Sequence, residues 1–108
     1  VLSLQLMRNM DEQWDDVDHF HLSYDIDIGV SEDPYEYEVF QVDVVSPKRL
    51  ASIVEDGRVE CGRGYLIMSD FDIHKVNATI KRILTICEAE SFEQSVDHLS
   101  KYFRLLSR

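Results

Sequence analysis

No stretch of this sequence stays apolar for the roughly 20 residues that a membrane-crossing helix requires, and its first residues hold no apolar core of a signal peptide. Neither a membrane partner nor export is therefore expected. Cysteine is scarce. Cys61 stands in a Gly-containing approach to a strand and Cys87 on a helix face, with no second pair to complete a ligand set or a disulfide framework. That usage suits a reduced, cytoplasmic chain. Cations are few as well: 11 Lys and Arg face 21 Asp and Glu, and the formal charge of -10 would repel nucleic-acid phosphates. The same field would speed encounter with a basic protein surface, or it would simply keep the protein soluble. Gly-x-Ser-x-Gly elbows, P-loops and dinucleotide fingerprints are missing, and neither cysteine has a local sequence that predicts activation. Repeats, linkers and low-complexity segments are absent too.

What remains is a chain of 108 residues, 44% hydrophobic, which is enough for one domain to bury a core without metal or disulfide staples. Leu2, Leu4 and Leu6 alternate with Ser3 and Gln5 as a first strand. Asn9 to Asp18 is so charged and aperiodic that it reads as a surface loop, with Asp11, Glu12, Asp15, Asp16 and Asp18 around Trp14. His19 to Val30 holds the cleanest period: Phe20, Leu22, Tyr24, Ile26, Ile28 and Val30 on one face, His19, His21, Ser23, Asp25, Asp27 and Gly29 on the other. After the break at Ser31-Glu-Asp-Pro34, an extended pattern resumes from Tyr35 to Val45, so the two segments should pair as an antiparallel hairpin.

Ser46-Pro47 supplies an N-cap hydroxyl and an N1 proline for a short helix, Pro47 to Glu55, with Leu50, Ile53 and Val54 inward and Asp56-Gly57 as its stop. Tyr65 to Met68 reads as a buried strand approached through Gly62 and Gly64. A boundary at Ser69-Asp-Phe-Asp72 opens a longer helix striped by Ile73, Val76, Ile80, Ile83, Leu84 and Cys87. Ser91-Phe-Glu-Gln94 has the form of a capping box for a last helix. Phe92, Val96, Leu99 and Phe103 are expected on its apolar side, and Lys101, Arg104 and Arg108 near its C-terminal end. The resulting expectation is a single α+β domain over residues 1–108. It has a mainly antiparallel four-stranded sheet, helices packed on one face, and the order β-β-β-α-β-α-α.

Several constellations bear on chemistry. His19 and His21 project from one strand face with Ser23, Asp25 and Asp27 continuing the row. A small metal-binding module or metal-dependent enzyme using His19, His21 and Asp25 is one reading, and an ordinary solvated sheet face is the other. Asp25-Ile-Asp-Ile-Gly29 fails the calcium-loop spacing, and Asp25 with Asp43 across the hairpin is weak evidence for acid/base work. Cys87 belongs to the helix stripe and is assigned to the core, while Cys61 stays unassigned. No catalytic residue, no metal site and no cofactor is expected.

The binding candidate is Trp14 with Asp15, Asp16 and Asp18, an aromatic anchor ringed by carboxylates that a basic protein could grip. Glu32 and Asp33, with Glu36 and Glu38, extend it if the two groups share one end of the sheet. The alternative is a solvated charged loop with Trp14 folded back on the core.

The order of these segments, with Phe40-Gln-Val-Asp-Val-Val-Ser-Pro-Lys-Arg-Leu50, Gly62-Arg-Gly-Tyr-Leu-Ile67 and Glu88-Ala-Glu-Ser-Phe-Glu93, resembles the immunity protein 8 family of bacterial polymorphic-toxin systems. Ser46-Pro47-Lys48, Leu50, Gly62-Arg63, Tyr65-Leu66-Ile67 and Phe92 carry the likeness over most of the chain. Arg49 stands where that family usually has an aromatic, and Gly64 where it has a larger residue, often His. The resemblance implies a cytoplasmic antidote and not an enzyme. Such a protein binds a cognate toxin domain inside the cell and blocks its active site or substrate path. An acidic adaptor for some other basic protein is the remaining alternative.

Overall fold

The clean alternation of His19–Val30 becomes the central strand of the structure, a computed structural model that describes residues 1–106. Strands β1 (Leu2–Asp16), β2 (His19–Val30) and β3 (Asp33–Val45) form an antiparallel meander joined by two tight turns. Helix α1 (Pro47–Ile53) and a single 3-10 turn (Glu55–Gly57) come next. Strand β4 (Tyr65–Ile67) then pairs in parallel with β3 at Asp43 to Val45. Helices α2 (Ile73–Cys87) and α3 (Phe92–Leu99) precede a two-residue strand β5 (Arg104–Leu105), which pairs antiparallel with β3 at Phe40 and Gln41. The sheet order is β1-β2-β3-β4, with β5 sharing β3's outer edge with β4.

The expected α+β architecture and the order β-β-β-α-β-α-α are those observed, with β5 added after α3 as a fifth strand. Phe20, Leu22, Ile26 and Ile28 of β2 and Phe40, Val42 and Val44 of β3 are fully buried against Val76, Ile80 and Leu84 of α2 and Val96 and Leu99 of α3. Burial of each such side chain is worth about 1.5–3 kcal/mol. The caps work as the sequence indicates: Ser46 Oγ accepts from Arg49 N, Asp72 from His74 N, and Ser91 from Gln94 N. Ser46 is itself fully buried and also receives Phe20 N–H, so one hydroxyl joins the start of α1 to β2.

Asn9 to Asp18 is not a loop: β1 runs through it to Asp16. The reason is visible in the register, which shifts between Leu4 and Leu6, Asn9 and Asp11, and Trp14 and Asp16. Gln5, Met10 and Asp15 are the extra residues. Each bulge reverses the parity of the strand beyond it, so the residues opposite β2's apolar side are Leu2 and Leu4, then Met7 and Asn9, then Glu12 and Trp14. A strand bulged every five residues has no period of two to read. The bulges also break the free edge of β1 into short stretches, which discourages pairing with another strand.

Other expectations need amendment. Tyr65–Ile67 is a half-exposed edge strand and not a buried one, because only its β3 side is paired. Helix α1 buries no residue fully, and Val54 lies just past its end with 38% of its surface exposed. The last helix stops at Leu99, and Ser100 Oγ bonds back to Val96 O. Phe103 is still fully buried, but it sits beyond the helix, packing edge-on against Phe40 at 6.3 Å. Arg104 therefore belongs to β5, while Arg108 lies outside the described residues.

Candidate functional site

The charge of the chain is concentrated on the meander. Residues 1–45 hold twelve of the 21 acidic side chains but only Arg8 of the 11 Lys and Arg, a net charge of -11; the other 63 residues carry nine acids and ten cations. Helices α2 and α3 cover one face of this acidic sheet. The opposite face carries His21, Ser23, Asp25 and Asp27 on β2 beside Arg8, Asp11 and Gln13 on β1.

Trp14, Asp15, Asp16 and Asp18 gather at the β1–β2 end of the sheet. Trp14 lies across from Phe20, with ring centroids 5.0 Å apart, and meets the edge of Phe71 at 6.1 Å. Its indole N–H donates to Glu12 Oε1 at 2.7 Å. With 44% of its surface exposed, Trp14 is both folded onto the core and open to a partner. Asp15 Oδ2 stands 3.0 Å from His19 Nδ1, Asp16 Oδ1 accepts from Val17 N, and Asp18 pairs with Lys48 of α1 at 2.5 Å. The hydrogen bond from Lys48 holds Asp18 below the ordinary carboxylate value and raises Lys48 in turn.

Glu32 and Asp33 are not part of this cluster. Glu32 lies in the β2–β3 turn and Asp33 begins β3, at the other end of β2, whose 12 residues place them roughly 35–40 Å away at about 3.3 Å per residue. Both are exposed, and Asp33 Oδ1 accepts from Tyr35 N. Phe71 is the site residue that the sequence reading missed. Its segment reads as a helix boundary, and nothing local shows that it returns to Trp14.

His19 and His21 do project on one face, but they turn to different partners. His19 Nε2 lies 3.1 Å from Ser52 Oγ of α1, and His21 Nε2 lies 3.5 Å from Asp43 Oδ1. Among the described residues no three metal-ligating side chains converge. Cys61 is exposed and unpaired, and burial pushes the Cys87 thiol up, away from thiolate chemistry.

Asp43, only 8% exposed, is the hub of the uncovered face. It accepts from Ser23 Oγ at 2.5 Å and pairs with Arg104, whose guanidinium also reaches Gln41 and Arg63 O and lies 5.5 Å over the Tyr65 ring. This cluster ties β2, β3, β4 and β5 together. It also accounts for Gly64, whose φ of +87° suits glycine and where a Cβ would collide with the Arg104 guanidinium. In this chain the arginine fills the space that a larger residue at position 64 would need. Arg49, the second departure from the family pattern, spans from α1 to Gln13 Oε1 of β1 at 3.1 Å. Both departures have structural partners here.

No curated protein and no solved structure matches the chain. Among family models, that of Immunity protein 8 matches residues 3–105, nearly the whole of the fold just described. The chain belongs to the Immunity protein 8 family, and is thus an immunity protein directed against a toxin.

Proposed function

We propose that the protein neutralises a cognate bacterial toxin domain by forming a stoichiometric complex in the cytoplasm, and that it catalyses nothing. The observation that carries this reading is the net charge of -11 on the meander, whose β1–β2 end leaves Glu12, Trp14, Asp15 and Asp16 exposed. A basic toxin, such as a nuclease whose own active site must attract phosphates, is the complementary partner. Trp14 supplies the apolar anchor, half-exposed, packed on Phe20 and Phe71 and hydrogen-bonded to Glu12, with Asp15 and Asp16 following it in the strand. Asp18 contributes less net field because Lys48 is bound to it. Glu32 and Asp33 form a separate contact, engaged only if the toxin spans the length of the sheet.

Coexpression with the toxin domain encoded beside this chain tests the role. Growth should be rescued and a 1:1 complex recovered. Continued toxicity with no complex would overturn the proposal.

A further inference from the structure

The sheet order ends at β4, and a groove of about 390 Å³ lies between this strand and α2. Its sheet side is the free edge of β4. Asp43 N–H donates to Gly64 O and Met68 N–H to Val45 O, so the Gly64 carbonyl and the Met68 N–H face β3, and by the parallel ladder so do the backbone groups of Leu66 between them. By strand alternation, Ile67 turns its N–H and C=O outward, and its side chain is 56% exposed. The floor is apolar, from Leu66 and the buried Val76. The far wall is one stripe of α2, Lys75, Thr79 and Arg82 at helical spacing, running about 10 Å alongside a strand edge of about the same length.

The charge of that wall is opposite to that of the meander. Helix α2 contains no Asp or Glu, and neither Lys75 nor Arg82 forms an ion pair among the described residues. An unpaired strand edge, an apolar floor and two free cations at one wall together define a specific occupant.

We infer that the β4 edge is a second binding site, which accepts an extended strand of a partner protein carrying carboxylates at alternate positions. The strand's backbone pairs with Ile67. Its carboxylates share the face turned toward α2 and meet Lys75 and Arg82, and the apolar side chains between them lie on the opposite face beside the exposed Ile67. This inference does not depend on the toxin-docking proposal, because the meander selects cations and the groove selects carboxylates.

The probe is a capped peptide of about seven residues alternating valine and glutamate, titrated at low ionic strength into the isotope-labelled full chain and followed by amide shifts. Saturable shifts confined to Tyr65–Met68 and the Lys75–Arg82 stretch are expected. Lys75→Glu combined with Arg82→Glu, both exposed positions, should weaken binding by about tenfold or more while leaving the remaining spectrum unchanged. A peptide with lysine in place of glutamate, and one N-methylated at alternate amides, should not bind. The inference is overturned if those segments do not shift, if the double variant binds equally well, or if either control peptide binds as tightly.

Discussion

Strands β1 and β2 lie side by side in one sheet, yet they are built for opposite purposes. β2 keeps a strict alternation from His19 to Ile28, has a partner on both edges and buries every second side chain over that stretch. β1 has a partner on one edge, three bulges in 15 residues, and exposed Leu6 and Met10 ahead of its acids and Trp14 among them. A strand that specifies a core must present its apolar residues to one face without interruption, because a one-residue slip would turn them all outward. A strand that serves a surface is free of that constraint. The difference separates the part of the meander that makes the fold from the part available to a partner.

The largest effects should therefore come from β2 and its immediate supports. Phe20→Ala removes a fully buried ring that touches both Trp14 and Phe71, and should cost about 3–5 kcal/mol in denaturant unfolding. Asp43→Ala strips Arg104 and Ser23 of their shared acceptor beneath β5. We expect a loss of about 2–4 kcal/mol, with early hydrogen exchange at Leu105 and Tyr65. If either variant proves no more costly than a surface change in β1, the contrast between the strands fails.

Trp14→Ala should fall between the two classes. Loss of its ring contacts costs about 1–2 kcal/mol of stability, and toxin affinity should drop further than stability does. A variant that lost stability alone would make Trp14 a core residue and nothing more.

Legibility in the sequence divides along the same line. β2, β3 and α2 could be read directly, because one period governs the core-forming stretch of each: Phe20 to Ile28, Phe40 to Val44, and Val76 to Cys87. β1 could not, because Gln5, Met10 and Asp15 reset the parity before any pattern repeats. β5 was hidden for another reason. Phe103 continues the apolar spacing of α3, and only the long-range pull of Asp43 on Arg104 and of β3 on Leu105 shows that the chain has left the helix. Of the candidate site, the residues around Trp14 were identifiable by composition. Their separation from Glu32 and Asp33 depends on strand topology, and the contact with Phe71 on tertiary packing.

A smaller effect sharpens the account of the β1–β2 turn. Asp18 is held below its ordinary value and Lys48 above its own, so their pair contributes above the unfolded carboxylate's pKa and below the unfolded lysine's. That contribution disappears as pH falls through the depressed Asp18 value, or rises through the raised Lys48 value. Asp18→Asn should thus melt slightly earlier than the parent near neutrality and coincide with it once Asp18 is protonated in acid. Parallel melting curves at every pH would show that the pair contributes nothing.

The central claim is that the acidic end of the meander docks a basic toxin. It is tested most directly by the salt dependence of binding to the cognate toxin domain, measured for the parent and for Asp15→Lys combined with Asp16→Lys, which leaves the Asp18–Lys48 pair intact. Between about 50 and about 300 mM salt the parent should weaken steeply, while the double variant should bind about tenfold or more weakly at the lower salt and respond much less to salt. Equal affinity and equal salt dependence in the two proteins would contradict it.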